Sequence, residues 1–565
     1  MPARPTSDPT RRRAAAAILA AAAALTTAPA RAQTSGPAGV GVPAGTVAIE
    51  DPTTGLVDQM LALVPVPGGI AGQRPYSTRE VVRLATAVRA AAESRPGADG
   101  ATRAITIAQA LLDAYAPGGP AAPGAGVVTA RPLDFAWAHA VGSGTGPVAF
   151  PPNTGIGQID ARALPALDAR AGRPAVRGAV GSLETGHALG VGGWLAVVAQ
   201  PRLSLVARYD GGFASGAAWN VEPQRLFARA VARNVAVQAG VDAWAWGQDG
   251  AAGPFLAANA RPLRAVLVQS DTAFALPGRL RALGRWRAGA FAADLGRDQN
   301  FPHAKLLAYK LTLAARPTVE FGAGIMSHVG GRGAPPMSTA DRAVDLFPFV
   351  TWLRPGSDRL RSNKIAGFDA RVRVPRLRGL AVAYELTIDD FDLRRPWSML
   401  SEDSGNLLAV SVPRLARDGS VSLDLAAQRT GLRQFRHYQF VSGVTYRGQV
   451  LGAPIGPNAG ALRGALTWRP NAFDALVLSV ARETRDPSLY TNTNPDPDGA
   501  LVFERVGPRP VERRVRVGAG WERGRAGRGV SSTARFGVER VEGFGYAAGV
   551  VLARPFGEGG VRVRF

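Results

Sequence analysis

The sequence GEGGVRVRF (557–565) alternates valine with arginine and ends on the aromatic residue Phe565. Successive side chains of a β-strand point to opposite faces, so the two valines and Phe565 share one face while Arg562 and Arg564 share the other. A strand of this kind separates an apolar medium from a polar one. If the pattern recurs along the chain, it predicts a fold built from strands of this kind.

The same alternation recurs from about residue 125 onward, in segments separated by turn sequences rich in Gly, Pro, Asn and Asp. Four segments show it best: RNVAVQAGVDAWAW (233–246), GFDARVRV (367–374), SVSLDLAAQ (420–428) and RVRVGAGW (514–521). Each has one apolar face and one polar or charged face. We therefore predict strands throughout this part of the chain.

A single closed barrel explains these strands best. Secreted β-sandwiches also alternate, but their strands are shorter, and a chain of this length would divide into several domains joined by linkers. No linker-like gap interrupts residues 190–565. We expect a large closed antiparallel transmembrane barrel over residues 125–565, with lipid outside and a polar lumen inside. Roughly 400 residues at about 20 to 24 per strand and turn predict sixteen to twenty strands.

The amino-terminal residues have the features of an export signal. TRRR (10–13) precedes an alanine-rich apolar run, and APARA (28–32) follows it. We expect a cleaved secretory signal peptide over residues 1–32. The apolar run is shorter than the roughly 20 residues that span a bilayer, which disfavours a membrane anchor. Nothing cofactor-like follows, so the general export route is favoured over twin-arginine export.

Between the signal and the barrel we expect two short segments. Residues 33–55 are rich in Gly, Pro and Thr and predict a linker. Residues 56–124 contain three helical patterns, the second of which opens with a capping box formed by Ser77 and Glu80. Three short helices bury little core by themselves, so we expect them to pack on the barrel.

Composition excludes several classes of function. The chain has no cysteine, which rules out disulfides, cysteine metal sites and thiol catalysis, and five scattered histidines argue against a metal site. We expect no cofactor. The net charge is +23 and only three basic residues are lysines. Arginines spread through strands of an exported protein disfavour nucleic acid and favour an acidic glycan or lipid headgroup. Biased amino-acid usage explains any single arginine equally well.

Several segments together resemble the capsule-assembly Wzi family of outer-membrane barrels. They are RPYSTREVVRLATAVRAAA (74–92), VDAWAWGQDGAAGPFLAANARPLRAVLV (241–268), KLTLAARPTVEFGAGIMSHVGGRGAPP (310–336), SNKIAGFDARVRVP (362–375) and HYQFVSGVTYRGQVLGAPIGPNAGALRGALTW (437–468). The resemblance extends from about residue 50 to 565. Many of the shared positions are glycines, for which a purely structural role at barrel turns is the simpler interpretation.

The resemblance implies an outer-membrane barrel of about eighteen strands, with helices closing its periplasmic mouth and an outer face that engages a capsular or other extracellular polysaccharide. The barrel would contact outer-membrane lipid. Phe565 is similar to the terminal aromatic by which the barrel-assembly machinery recognises such proteins. Because a closed barrel satisfies its own edges, we expect a monomer.

The densest polar segment is ELTIDDFDLRRPWSML (385–400). Carboxylates, guanidinium groups and an indole are the groups that a sugar-binding surface uses. The candidate glycan contacts are Asp389, Asp390, Arg394, Arg395 and Trp397. Two alternatives remain open: a strand that runs into a charged turn, and a pair of carboxylates for glycoside hydrolysis.

We predict a protein that is not an enzyme. Ser327 and His328 are adjacent, but neighbours on a strand point to opposite faces, so the histidine is badly placed to activate the serine. The leading prediction is an outer-membrane barrel that retains polysaccharide at the cell surface. The first alternative is a porin or specific channel, and a lipid or glycan hydrolase is a third.

Overall fold

The computed structural model describes residues 41–116, 128–143, 145–165, 172–173, 176–210, 213–339, 342, 362–389, 396–495 and 501–565. The predicted signal peptide (1–32) lies outside the described residues, and so do Asp390, Arg394 and Arg395.

The chain forms a closed barrel of eighteen antiparallel strands, as predicted. They are β1 (Val128–Ser143), β2 (Gly178–Val191), β3 (Leu195–Asp210), β4 (Phe213–Ala232), β5 (Val235–Asp242), β6 (Leu263–Ser270), β7 (Arg285–Asp294), β8 (Lys305–Arg316), β9 (Val319–Val329), β10 (Ser362–Val374), β11 (Leu380–Asp389), β12 (Ser404–Val412), β13 (Val421–Thr430), β14 (Ala459–Trp468), β15 (Asp474–Arg485), β16 (Glu512–Arg523), β17 (Gly529–Glu542) and β18 (Val551–Arg564). The barrel closes where β1 pairs with β18, with Phe135 opposite Arg564.

The two faces of β16 and β18 differ as the sequence predicts. On β16, Val515 and Val517 are 43% and 59% exposed, whereas Arg514 and Arg516 are each 1% exposed. On β18, Phe565 follows the strand and is exposed on the outside, while Arg562 and Arg564 are buried inside. On these strands the outer face is therefore apolar and the face toward the lumen is charged, as in outer-membrane barrels. No helix within the described residues has both the length and the apolar composition needed to cross a bilayer.

Three helices form a small bundle at one end of the barrel, which we call the plug: α1 (Pro52–Leu63), α2 (Thr78–Glu93) and α3 (Ala101–Tyr115). The Ser77 hydroxyl accepts the N–H of Glu80 at 3.0 Å, as predicted for the cap of α2. The bundle core extends to Ala472 and Ala526 of two barrel turns, so the helices gain buried surface from the barrel. In the predicted linker, Val42 is buried against the barrel wall.

The two ends of the barrel differ in their connections. At the end that holds the plug, the connections are short, for example 233–234, 317–318 and 469–473; we call it the short-turn end. At the opposite, long-loop end, most connections are longer, including 243–262 and 431–458. Outer-membrane barrels have short periplasmic turns and long extracellular loops, so the plug lies on the periplasmic side.

One predicted strand is shorter than its alternation implied. The pattern of residues 233–246 continues through Trp246, but β5 ends at Asp242. The chain then turns into the lumen, where Trp244 and Trp246 pack on the ring of Phe291 with centroid distances of 5.3 and 5.0 Å. Burial of these two aromatic side chains inside the barrel outweighs continuation of the strand.

Candidate functional site

The mouth at the long-loop end is covered by residues 145–165 and 431–458, which we call the outer lid. Four two-residue strands from these segments form a small sheet: Val148–Ala149, Arg162–Ala163, Thr445–Tyr446 and Gln449–Val450. The lid buries Phe435 and Phe440 completely, which fixes it as a packed layer. A packed lid of this kind offers a preformed outer surface to a ligand.

A second segment, residues 243–262, enters the lumen below the lid; we call it the inner loop. Its Gln248 side chain donates hydrogen bonds to the carboxylates of Asp369 at 2.6 Å and Glu320 at 3.1 Å. Asp369 also forms a buried ion pair with Lys310. All three partners of this network are lumen-facing side chains of the wall strands, so the inner loop is bound to the inside of the barrel.

The next residue of the inner loop is held by two further wall residues. The N–H of Asp249 donates to the Glu385 carboxylate at 2.6 Å, and its own carboxylate forms a salt bridge with Arg463 at 2.6 Å. Gly247 and Gly253 lie against Glu385 so closely that a Cβ atom at either position would overlap its carboxylate. Glycine at these two positions therefore permits the approach of the loop to the wall.

The plug and the inner loop meet inside the barrel. Gln73–Arg74, between α1 and α2, pairs antiparallel with Ala245–Trp246 of the inner loop. The N–H of Gly247 also donates to the carbonyl of Gly72 at 3.0 Å. Trp246, at this junction, is 1% exposed. A segment from the short-turn end and a segment from the long-loop end thus form one hydrogen-bonded unit across the lumen.

The inner loop is also attached to the outer lid. The N–H of Ala257 donates to the carbonyl of Leu451 at 3.0 Å, and the Asn259 side chain donates to the carbonyl of Val450 at 2.7 Å. The described residues therefore form a continuous series of contacts from the plug, through the inner loop, to the lid. This arrangement suits a protein that binds a ligand on its surface better than one that conducts through its lumen.

The predicted glycan contacts occupy different environments. Asp389, the last residue of β11, is 2% exposed, and its carboxylate accepts the N–H of Phe435 in the outer lid at 3.1 Å. Trp397, on the short helix α4 (Pro396–Glu402), is 82% exposed. The structure thus places one candidate at the attachment of the lid and one on the outer surface. Sugar contact at these five residues stays a prediction.

Ser327 and His328 are both buried at the end of β9. The His328 ring packs on Phe440 of the outer lid with a centroid distance of 4.2 Å. Within the described residues, the Ser327 hydroxyl forms no hydrogen bond, so the two side chains are not coupled as a nucleophile and base. The described residues also contain no group of three His, Cys, Asp or Glu side chains that could hold a metal ion.

Sequence reasoning missed the carboxylates that hold the inner loop. Asp369 and Glu385 lie directly opposite each other on neighbouring strands. Like charges in this position repel, so they indicate a third group between them that donates hydrogen bonds. The sequence does show acidic residues on the polar faces of successive strands. It does not show the register between the strands, which brings these residues together.

Comparisons with known proteins agree with this architecture. The family model described as capsule assembly protein Wzi matches residues 223–552. Among solved structures, the chain is similar to Wzi of Escherichia coli, described as a carbohydrate-binding β-barrel involved in group 1 capsule assembly, at 14% identity, covering 92% of this chain and 100% of that one, with a TM-score of 0.62. Weaker likenesses include Acinetobacter baumannii OccAB1 (9% identity, 78% and 97% coverage, TM-score 0.38) and Pseudomonas aeruginosa OprD (9%, 77% and 93%, 0.39). No curated protein sequence matches the chain.

Proposed function

The chain belongs to the capsule assembly protein Wzi family, and from this premise we propose that it is an outer-membrane barrel that binds capsular or other extracellular polysaccharide and retains it at the cell surface. The Escherichia coli protein of the same fold is described as carbohydrate-binding. In this proposal the ligand is held and released unchanged, and the protein is not an enzyme.

The observation that carries the proposal is the pairing of Gln73–Arg74 with Ala245–Trp246 in the lumen. A channel needs an open path through this level of the barrel, whereas a surface receptor needs a rigid support for its outer face. The hydrogen bonds that join the plug, the inner loop and the outer lid supply such a support. This favours retention over the alternative of a porin.

The proposed binding surface includes the outer end of β11 and the segment that follows it. Trp397 has an exposed indole on which a sugar ring can stack. Arg394 and Arg395 have guanidinium groups that can bind the carboxylates of acidic sugars. Asp390 would accept hydrogen bonds from sugar hydroxyls. In this proposal Asp389 acts through the lid, because its carboxylate holds Phe435. Because the guanidinium groups of arginine bind carboxylates well, the arginine-rich composition favours an acidic polymer as the ligand.

We also propose how the protein is exported and assembled into the membrane. Residues 1–32 serve as a cleaved signal peptide, and Phe565 serves as the terminal aromatic that the barrel-assembly machinery binds. The barrel works as a monomer in the outer membrane, because its strands leave no open edge.

The proposal is tested by measuring cell-bound and shed polysaccharide in cells that lack the protein, at equal total synthesis. We expect deletion to shift polymer from the bound to the shed fraction. When each variant is expressed in the deletion strain, Trp397→Ala should retain less polymer than the wild-type protein does. Trp194→Ala removes an exposed tryptophan at the short-turn end and should restore retention fully. An unchanged ratio in the deletion strain contradicts the proposal.

The channel alternative makes a different prediction for the intact protein. Steady large openings in planar bilayers would favour a porin, because they require a path past the inner loop. A closed barrel together with normal retention supports the receptor. A hydrolase would release shortened polymer, and that product would be lost on replacing Asp389 or His328.

A further inference from the structure

A cavity of about 620 Å³ lies in the lumen between α1 and the wall formed by β10 to β14; we call it the lumenal cavity. At one end it is bounded by the turn residues Gly379, Pro413 and Gly419 of the short-turn end. At the other end it is bounded by residues 248–251 of the inner loop. This volume is typical of small-molecule sites. The cavity lies on the opposite side of the inner loop from the outer lid.

The lining of the lumenal cavity carries an excess of positive charge. The charged residues that line it are Asp58, Arg74, Asp249, Arg371, Arg373, Asp424, Arg463 and Arg469. Asp58 already pairs with Arg74 at 2.7 Å, and Asp249 with Arg463 at 2.6 Å. Three arginines therefore face the cavity with one exposed carboxylate, that of Asp424, to balance them.

Within the described residues, Arg373 differs from the other two arginines, because Arg371 donates to the Gln248 carbonyl and Arg469 to the Ser422 hydroxyl. The Arg373 side chain is 8% exposed, and its guanidinium group, which forms no hydrogen bond or ion pair within the described residues, faces the cavity. Nη1 of Arg74 is likewise buried without a partner among the described residues. A guanidinium group that faces a cavity and has no acceptor in the protein normally binds an anion or water there. The neighbouring Arg371 donates to the Gln248 carbonyl at 3.0 Å, which holds it at the cavity wall.

We infer that the lumenal cavity binds a hydroxylated carboxylate, the size of one or two acidic sugar rings, that enters from the short-turn end. The carboxylate would accept hydrogen bonds from Arg373 and Arg371, for which a guanidinium fork is well shaped. The volume far exceeds that of an inorganic anion. Polar groups such as Asp424 and Ser422 in the lining can bind hydroxyl groups.

This inference does not depend on polysaccharide retention at the outer lid. Calorimetric titration of the full-length protein in detergent with digalacturonate tests it, with a neutral galactose disaccharide and inorganic phosphate as comparisons. We expect saturable binding of digalacturonate, with an affinity that falls as salt is added. Arg373→Gln should weaken binding at least about tenfold, because a hydrogen bond to a charged group is lost.

Two matched variants locate the site. Arg281→Gln removes one positive charge from an exposed turn at the same end of the barrel, outside the cavity, and should bind as the wild type does. Trp194→Ala, which removes an exposed tryptophan at the same end and also outside the cavity, should bind normally as well. If Arg373→Gln does not fold, Arg371→Gln takes its place.

Three results would overturn the inference. The first is no digalacturonate binding by the wild type, and the second is equal binding by the cavity variants and Arg281→Gln. The third is binding of phosphate or the neutral disaccharide as tightly as digalacturonate.

Discussion

Asp51, the cap of α1, forms salt bridges with Arg562 at 2.7 Å and with Arg564 at 2.5 Å, two arginines at the end of β18 whose side chains face the lumen. The polar face of the last barrel strand therefore holds the plug, while its apolar face meets lipid. Arg562 also lies over the rings of Phe135 and Trp137 of β1, at 4.4 and 4.5 Å from their centroids. The pairing of β1 with β18, where the barrel closes, is thus also one of the places where the plug is attached.

Replacing this anchor should loosen the plug without unfolding the barrel. In Asp51→Asn, Arg562 and Arg564 stay buried but lose the carboxylate that they share, and among the described residues Arg564 keeps only the longer ion pair with Asp134, at 3.7 Å. Breaking a buried pair in this way costs about 3–5 kcal/mol. We expect trypsin to cleave α2 at least about tenfold faster than in the wild type, since local opening becomes more frequent. The measurement is a time course of plug fragments released from the folded protein.

Asp113→Asn is the matched control, because Asp113 is exposed on α3 and accepts one hydrogen bond from Gln109. Exposed pairs of this kind contribute little to stability. Equal cleavage rates in the two variants would show that the arginines of β18 do not hold the plug.

Attachment of the plug should also depend on pH. Burial alone would raise the pKa of Asp51, but Arg564 and Arg562 outweigh it and hold this pKa well below its usual range. A carboxyl whose pKa is lowered on folding stabilises the protein above its unfolded pKa, about 3.9, and this contribution is lost as the pH falls through the folded value. Hydrogen exchange of α1 to α3, corrected for intrinsic rates, should show constant protection above about pH 5 and declining protection below about pH 4. A parallel decline in Asp51→Asn would assign the effect to other groups.

The inner loop should control passage through the lumen. Gly247→Val places a branched side chain where Glu385 lies, and overpacking of this kind costs about 1–3 kcal/mol. We expect the hydrogen bonds of Gln248 and Asp249 to break and ion conductance to appear in planar bilayers. Gly181→Val, at a position where a Cβ atom meets open space, should stay closed. A folded Gly247→Val protein that stays closed would show that another segment blocks the lumen.

Much of the barrel is predictable from the sequence because its signal is local. The alternation on β16 and β18 assigns Val517 and Phe565 to the outside and Arg516 and Arg564 to the lumen without any knowledge of their neighbours. The cap of α2 is equally local, since Ser77 and the N–H of Glu80 are three residues apart. Periodicity and capping act within one turn or one strand, so they survive any choice of tertiary partner.

The candidate site was less predictable because it is built from distant partners. Gln248 meets Asp369 across 121 residues of sequence, and Gln73 pairs with Trp246 although neither lies in a barrel strand. The alternation through Trp246 even favoured a longer β5. Register between strands and the direction in which a loop turns depend on packing inside the closed barrel, which no local pattern encodes.

The exposed valines of the outer surface should lie in the lipid of the membrane. Val480, Val517 and Val538 lie side by side on β15, β16 and β17 and are 49%, 59% and 57% exposed. Val517→Arg would place a charge in lipid, and near the bilayer midplane this should lower the free energy of unfolding by about 2–4 kcal/mol. The measurement is urea unfolding of the barrel in lipid vesicles. Val506→Arg, in the exposed hairpin strand Leu501–Gly507 of the long-loop end, should change the free energy little because water surrounds it. Equal losses in both variants would contradict a lipid-facing row of valines.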